Sequence, residues 1–331
     1  HEKYHAGQNI LHVTRPADTV AKEFSMSVED FEKKLAECRA KLLAVRDKRV
    51  RPGLDDKILT SWNGLMISAL AQGYQVLGDA RYRDAAERAA KFILSDMRKD
   101  GKLLRTHRKG ESRLLAYLDD YAFTAIALID LYEATFDEQW LNAADDLARG
   151  MVDRFWDKDN GGFFSTTDDH TNLIARTKPA YDGAEPSGNS MAVIALQRLA
   201  KLRDNREYRD KALQVLKANH ENLESSPRAY MKMLCAVDFE VNAPKEVAIV
   251  GATDSNATRA LLAALHKTFV PNKVVAFADT ATANGDIGKR IPLLADKITV
   301  DGKPAAYVCK NYTCQLPVTT PEDLTKTLSA K

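Results

Sequence analysis

The chain has 331 residues, of which 45% are hydrophobic and 28% charged, with 11 prolines and 16 glycines. This composition excludes disordered, collagen-like and membrane-spanning proteins and predicts a soluble globular protein of one large domain or two. The 48 basic and 46 acidic residues leave a net charge of +2, so no nucleic-acid partner is expected. The sequence begins with His1 and shows no secretory signal, so we expect part of a longer chain with the cytoplasm as its default location.

From about residue 27 to 240 the sequence predicts helices of two alternating kinds. Residues 64–77, 121–131 and 190–202 are apolar or small nearly all round, which predicts burial on every side. Amphipathic helices with similar first residues begin near Tyr82, Trp140 and Tyr208, at a spacing typical of one repeated unit. We therefore predict α/α hairpins in two layers, as in an (α/α)6 toroid rather than an open solenoid. About eight helices are expected against the roughly twelve of six hairpins, so the toroid is incomplete and the remainder should lie upstream.

Near Pro244 the pattern changes to short β-rich runs at residues 247–250 and 274–278, which flank a helical stretch at 256–268. A further strand is predicted at 306–310, and a helix start at Thr320. The predicted organisation is a leading segment at 1–26, helical hairpins at 27–240, and a small α/β segment at 241–331.

An acidic or polar loop precedes each predicted interior helix. In a toroid the N-termini of all interior helices open at one end, so these loops should converge on one mouth. Facing carboxylates in a concave site are what acid–base chemistry at a glycosidic centre requires. The candidate catalytic residues are Asp55, Asp56, Asp119, Asp120, Asp182 and Glu185.

Aromatic and amide side chains accompany these carboxylates. The side chains expected to stack on a sugar ring are Trp62, Tyr117, Tyr121 and Tyr181. Those expected to form hydrogen bonds with sugar hydroxyls are Asn63, Ser187 and Asn189. The alternative is structural, because single carboxylates are favoured as helix N-caps. Asp119 and Asp120 point about 100° apart on a helix, so one of them is expected to be structural.

Three other features of the sequence leave alternatives open. The loop 157–170 contains Gly161-Gly162-Phe163-Phe164 and suggests a hairpin or lid over the mouth, or a plain connection. The seven histidines are scattered along the chain, and neither a metal nor another cofactor is expected. Cys309 and Cys314 have four residues between them; we expect reduced strand residues in a reducing compartment, with a disulfide or a redox role as alternatives.

Four ordered motifs, at residues 54–66, 117–122, 182–190 and 309–317, resemble the thioredoxin-domain-containing family of spermatogenesis-associated protein 20 and the bacterial YyaL proteins. The resemblance implies an N-terminal thioredoxin-like domain, which would be a partner in the same protein. It also implies a toroid similar to glycoside hydrolases and N-acylglucosamine 2-epimerases, with this chain as the C-terminal half. The two histidines of a 2-epimerase are not evident, so acid chemistry of the hydrolase kind is the better analogy.

The first hypothesis is a carbohydrate-active enzyme in which Asp119 or Asp120 is the general acid. Asp55, Asp56 or Asp182 would be the base or charge stabiliser, with Glu185 in reserve. The second hypothesis is a non-catalytic platform that binds a glycan or a protein and works with the thioredoxin-like domain. A terpenoid-cyclase function is disfavoured because the D-x-x-D-D type of metal cluster is absent from the sequence.

Overall fold

The computed structural model describes residues 12–170, 173–281, 286–311 and 313–330. It divides into two compact units, of which the first ends at Asp56 and the second begins at Lys57. The first unit contains α1 (Ala17–Glu23) and α2 (Val28–Arg46). Ser27 caps α2 because its side chain accepts a hydrogen bond from the Asp30 N–H. The first eleven residues of the predicted leading segment 1–26 lie outside the described residues, and the predicted domain bounds stay a prediction.

Helical hairpins form most of the second unit. The helices are α3 (Thr60–Leu77), α4 (Ala80–Asp96), α5 (Leu118–Thr135), α6 (Glu138–Phe155), α7 (Gly188–Arg203), α8 (Arg206–Ala218), α9 (His220–Ser225) and α10 (Met231–Val241). Helices α3, α5, α7 and α10 pack side by side as an interior layer, and α4, α6 and α8 each pack against the interior helix before them. The predicted two-layered arrangement of an incomplete (α/α) toroid is thus confirmed.

The interior helices differ in how much of their surface is covered. Helices α5 and α7 are buried over most of their length, as predicted. The same expectation was wrong for α3, on which four large apolar side chains are more than half exposed: Trp62, Met66, Val76 and Leu77. Within the described part of the second unit, α3 has an interior-layer neighbour, α5, on one side only, so its other side is left uncovered.

A small antiparallel sheet interrupts the helices, where the sequence predicted helices alone. Its strands are β1 (Ile58–Leu59), β2 (Arg98–Lys99), β3 (Lys102–Arg108) and β4 (Glu111–Leu115), and all of them pair with β3. The turns fall at Asp100-Gly101 and Lys109-Gly110, where all four residues have positive φ. Such turn dipeptides between alternating residues signal hairpins, and this signal was overlooked.

The C-terminal α/β segment has the predicted strand–helix–strand unit. It contains β5 (Lys245–Gly251), α11 (Asn256–Lys267), β6 (Lys273–Asp279), α12 (Ile287–Arg290), β7 (Ala305–Lys310), β8 (Thr313–Cys314) and α13 (Pro321–Ser329). The strand order is β6-β5-β7-β8, with β5 and β6 parallel and the other pairs antiparallel. Thr320 caps α13 by accepting the Asp323 N–H, as the sequence predicted.

This segment is held against the C-terminal ends of the interior helices. Glu133, near the end of α5, accepts the N–H of Val275 on edge strand β6 at 3.2 Å. Lys201 on α7 forms a buried ion pair with Glu246 on β5 at 2.7 Å. The α/β segment therefore covers the end of the interior layer opposite the helix N-termini.

The expectation for the C-terminal cysteines was wrong. Cys309 and Cys314 form a disulfide, because the antiparallel register of β7 and β8 places these two residues directly opposite each other. Cys38 and Cys235 are free and exposed. In the described ranges, no helix is long and apolar enough to cross a membrane.

Candidate functional site

The N-termini of the interior helices are joined by hydrogen bonds that backbone N–H groups donate to side-chain carboxylates. Asp120 on α5 accepts the N–H of Ser61 on α3 at 2.9 Å. The N–H of Gly188 on α7 donates to Asp119. Asp182, in the loop before α7, accepts the N–H of Lys232 on α10 at 2.8 Å. The predicted loops before α5 and α7 and the start of α3 therefore lie together at one end of the layer.

Asp120 is fully engaged in the structure of this end. Its side chain has no exposed surface. One carboxylate oxygen accepts the Ser61 N–H, and the other accepts the Tyr117 N–H at 2.8 Å and faces Arg105 Nη1 at 3.1 Å. Burial raises the pKa of Asp120, while the Tyr117 N–H, Arg105 and Ser61 lower it. Asp120 thus caps its own helix and ties α5 to α3 and β3.

Asp119, its neighbour, is partly exposed. Burial and the adjacent Asp120 charge raise the pKa of Asp119 to about 6, against the opposing effects of Arg105 and the Gly188 N–H. The charge of Glu185 acts in the same direction as that of Asp120. The carboxyl group of Asp119 therefore loses its proton closer to neutral pH than an ordinary aspartate does.

The charge of Glu185 acts on this carboxyl group, and Trp62 holds Glu185. The indole Nε1 of Trp62 donates to Glu185 Oε1 at 2.9 Å, which joins the first turn of α3 to the loop before α7. Trp62 is 57% exposed, so a face of its ring is open to a ligand while its N–H is held. We call Trp62, Asp119 and Glu185 the mouth residues.

Arg105 on β3 is a site residue that the sequence analysis missed. Its guanidinium stacks over the Tyr117 ring at 4.2 Å, besides its ion pair with Asp120. It also lowers the pKa of Asp119 through its charge. The only sequence signal for Arg105 was the pair of turn dipeptides around β3, because no motif contains it.

Asp182 has a structural role, because both of its carboxylate oxygens accept hydrogen bonds from backbone N–H groups. One of its oxygens accepts the Ser187 N–H at 2.8 Å. The other accepts the N–H groups of Lys232 and Met233, at 2.8 and 3.1 Å. Asp182 thereby caps the N-terminus of α10, whose first N–H groups have no acceptor within the helix.

Several residues that were predicted to contact a sugar instead form hydrogen bonds with other parts of the protein. Asn189 is buried and makes three hydrogen bonds, with the Phe163 N–H, the Phe163 carbonyl and the Pro179 carbonyl, each at 2.9 Å. Ser187 caps α7 by accepting the Ser190 N–H, and Asn63 donates to the Leu59 carbonyl. These side chains set the shape of the loops.

The predicted aromatic residues divide in the same way. Tyr121 is only 2% exposed, and its hydroxyl accepts from the Leu103 N–H and from Arg154, so the structure does not place it where a sugar could stack. The Tyr117 ring is covered by Arg105. Tyr181 is exposed and stays a candidate for stacking.

Asp55 and Asp56 belong to the first unit and are exposed at its end. Their catalytic role stays a prediction.

The loop 157–170 is fixed to the N-termini of α5 and α7. An antiparallel bridge between Trp156 and Phe163 closes its turn, as the hairpin alternative predicted. The Ser165 carbonyl accepts the first N–H of α5, from Leu118, at 3.0 Å. Asp157 forms an ion pair with Lys178 at 2.7 Å, which lowers the pKa of Asp157. The loop is therefore held at the first turn of α5, where Asp119 lies.

Comparison with known proteins identifies the class of protein that this fold and site define. The model of glycosyl hydrolase family 76 matches residues 47–223, and the chain belongs to this family. It is also 34% identical to human spermatogenesis-associated protein 20 over 333 aligned residues, which confirms the resemblance inferred from the four motifs. That alignment covers 97% of this chain and 42% of the human protein, so the chain spans less than half the length of this relative.

The solved structures to which the chain is similar include a family 76 α-mannanase from Bacteroides thetaiotaomicron. It matches with a TM-score of 0.42 and 15% identity, over 58% of this chain and 61% of the mannanase. A cellobiose 2-epimerase from Spirochaeta thermophila matches with a TM-score of 0.41 and 17% identity, over 50% of this chain and 43% of the epimerase.

Proposed function

We propose that the mouth residues hydrolyse a glycosidic bond and that Asp119 is the general acid. Membership of a glycoside hydrolase family supports carbohydrate chemistry in general. The observation that carries the specific proposal is the position of Asp119. Its carboxyl group is partly exposed, held by the Gly188 N–H, and lies next to the buried Asp120 charge and close to Glu185.

The chemical argument depends on the protonation state of Asp119. A general acid must carry a proton at working pH and release it as the leaving oxygen departs. A pKa of about 6 keeps a useful fraction of Asp119 protonated near neutral pH. The negative charges of Asp120 and Glu185 would favour the positive charge that develops on the sugar ring in the transition state.

Glu185 is the better candidate for the second carboxylate than Asp182. Both oxygens of Asp182 accept backbone hydrogen bonds, whereas Glu185 is exposed and its described hydrogen bond is with Trp62. Glu185 would activate water or stabilise charge. Trp62 would supply the apolar face for a sugar ring, since its orientation is set by the bond to Glu185.

The test is a product assay on a panel of mono- and oligosaccharides, preceded by a thermal-shift screen. Asp119→Asn should reduce turnover by about 10²-fold or more, the range expected for loss of a general acid, while the circular dichroism spectrum is unchanged. Asp153→Asn, an exposed carboxylate on α6, is the matched control and should keep full activity. Undiminished turnover by Asp119→Asn would overturn the assignment.

A second candidate function is glycan binding without turnover, by a platform that works with the thioredoxin-like domain implied by the family resemblance. It is favoured by one observation: Asp120 and Asp182 are both occupied by structural hydrogen bonds. In that case a saccharide would stabilise the protein, Trp62→Ala would abolish the stabilisation, and no product would form from any member of the panel.

A further inference from the structure

The disulfide between Cys309 and Cys314 joins two residues that differ in their access to solvent. Cys309 lies on β7, between β5 and β8, and is only 3% exposed. Cys314 lies on β8 and is exposed. Among the described strands β8 pairs with β7 alone, so it forms an edge of the sheet. One end of the disulfide is therefore held inside the sheet, and the other end can be reached by a reagent in solution.

The surface around Cys314 is open as well. Its neighbours at this end of the hairpin are exposed, namely Lys310, Asn311, Thr313 and Gln315. Leu316, two residues after Cys314, is 88% exposed. An edge strand also presents unpaired backbone N–H and C=O groups to another chain. This edge thus offers both an accessible cysteine and a surface on which a partner can dock.

The hairpin does not depend on the disulfide for its pairing. On one side β7 pairs with β5 over most of its length. On the other side, Ala306 and Val318 exchange backbone hydrogen bonds of 2.8 and 3.0 Å. The Gln315 N–H donates to the Val308 carbonyl at 3.0 Å. We therefore expect these strands to stay paired when the disulfide is open.

The disulfide also closes a short loop. A disulfide stabilises a fold mainly by restricting the unfolded chain, and this effect grows with the length of the closed loop. Here the two cysteines are only five residues apart in sequence. Exposed disulfides are typical of labile, regulatory or catalytic sites rather than of structural cross-links. The exposure of Cys314 and the short loop together favour a redox role over a purely structural one.

We propose that Cys309 and Cys314 form a redox-active site that a dithiol reduces by thiol–disulfide exchange at Cys314. A thiolate of the dithiol attacks Cys314 Sγ, the bond between the two cysteines breaks, and Cys309 leaves as a thiolate that takes up a proton. The second thiol of the dithiol, after losing its proton, attacks the dithiol sulfur attached to Cys314 and releases the Cys314 thiolate, which is protonated in turn. Two electrons and two protons thus pass from the dithiol, which becomes a disulfide, to the cysteine pair.

This site is separate from the mouth residues. The disulfide belongs to the C-terminal α/β segment, which covers the end of the interior layer opposite the helix N-termini. The inference does not depend on the proposed hydrolysis, and Asp119→Asn should leave the rate of exchange unchanged.

The first experiment measures the rate at which dithiothreitol reduces the disulfide in the folded 331-residue chain. N-ethylmaleimide blocks Cys38 and Cys235 beforehand, because both are free and exposed. Iodoacetamide then labels the thiols that reduction releases, and mass spectrometry counts them. We expect the folded chain to be reduced within about tenfold of the rate in concentrated urea, since access to the sulfur controls the exchange. The circular dichroism spectrum of the reduced protein should be unchanged.

The second experiment identifies the sulfur that is attacked. A short exposure of the blocked protein to reduced glutathione, followed by iodoacetamide, should leave glutathione on Cys314 and the alkyl group on Cys309. We expect this product to exceed the reverse one by at least about tenfold, because the Cys314 sulfur is the accessible one. In concentrated urea, where both sulfurs are accessible, the preference should disappear. The variant Cys309→Ser/Cys314→Ser is the control and should carry neither label.

Three results would each overturn the proposal: reduction under denaturing conditions only, glutathione mainly on Cys309, or loss of the circular dichroism signal when the folded chain is reduced. Leu316→Ser distinguishes the source of the dithiol. If reduced thioredoxin reacts more slowly with this variant while dithiothreitol does not, the dithiol belongs to a protein that docks on the edge. Unchanged rates with both reagents assign the site to small dithiols.

Discussion

The Asp119 carboxylate lies where the Cβ of any larger residue at position 188 would be placed. The Gly188 N–H donates to the Asp119 carboxylate, and a Cβ built on Gly188 would lie 2.3 Å from Asp119 Oδ1 and 3.0 Å from Leu118 Cδ2. The first position of α7 therefore has room for glycine alone unless the carboxyl group moves. A single missing methyl group thus allows the start of α7 to approach the start of α5.

Gly188→Ala should displace the Asp119 side chain and destabilise the fold by about 1–3 kcal/mol, as overpacking of a buried site does. Urea denaturation followed by circular dichroism measures this loss. Gly73→Ala is the matched control, because its Cβ would meet Tyr82 at an ordinary 3.7 Å in mid-helix. That variant should be more stable by up to about 1 kcal/mol. Equal effects of the two substitutions would contradict the close contact.

The raised pKa of Asp119 makes stability depend on pH. The folded pKa of about 6 exceeds the ordinary value of 3.8, so the folded state binds the proton more tightly than the unfolded state. The contribution of Asp119 to the free energy of unfolding is fully present below about pH 4 and is lost as pH rises through 6. Relative to Asp119→Asn, the unaltered chain should lose about 2 kcal/mol between pH 4 and pH 7. Urea titrations at a series of pH values test this, and a pH-independent difference would contradict it.

Asp120→Ala should behave differently from Asp119→Asn, because it removes the acceptor of two backbone N–H groups and the partner of Arg105. Loss of one partner from a buried charged pair costs about 3–5 kcal/mol. We expect a lower melting temperature and poor expression at every pH. A variant with unchanged melting temperature would show that these contacts contribute little.

Arg105 lowers the pKa of Asp119 through its charge, so Arg105→Gln should raise it. If Asp119 is the general acid, the alkaline limb of the pH–rate profile reports its deprotonation and should move to higher pH in this variant. Arg113→Gln, an exposed arginine on β4 paired with Glu111, is the control and should leave the limb in place. If the alkaline limb moves in neither variant while turnover is retained, the limb does not report the deprotonation of Asp119.

The disulfide can be tested by counting the free thiols of the protein. The chain has four cysteines, and alkylation of the denatured, unreduced protein should label Cys38 and Cys235 only. Reduction before alkylation should label all four, which mass spectrometry distinguishes. Four labelled cysteines without reduction would restore the expectation drawn from the sequence.

Local patterning was enough to predict the helices and the C-terminal strands. The apolar residues of α6 and α8 recur at helical spacing over more than three turns, and α5 and α7 are apolar nearly all round, so the burial of each helix can be identified without its neighbours. The sheet around β3 was missed because its strands are short and its signal lies in two turn dipeptides. The exposed side of α3 could not be predicted, because exposure depends on whether another helix packs there.

The sequence by itself determined that polar loops precede the interior helices, and hence that the carboxylates before α5 and α7 gather at one end of the layer. Only the tertiary structure decided which of two adjacent carboxylates is exposed. Asp120 is occupied by Ser61 and Arg105, which lie 59 and 15 residues away in sequence, while Asp119 meets Gly188. Protonation and hydrogen bonding depend on distances between atoms that folding brings together, and residue order does not encode those distances locally.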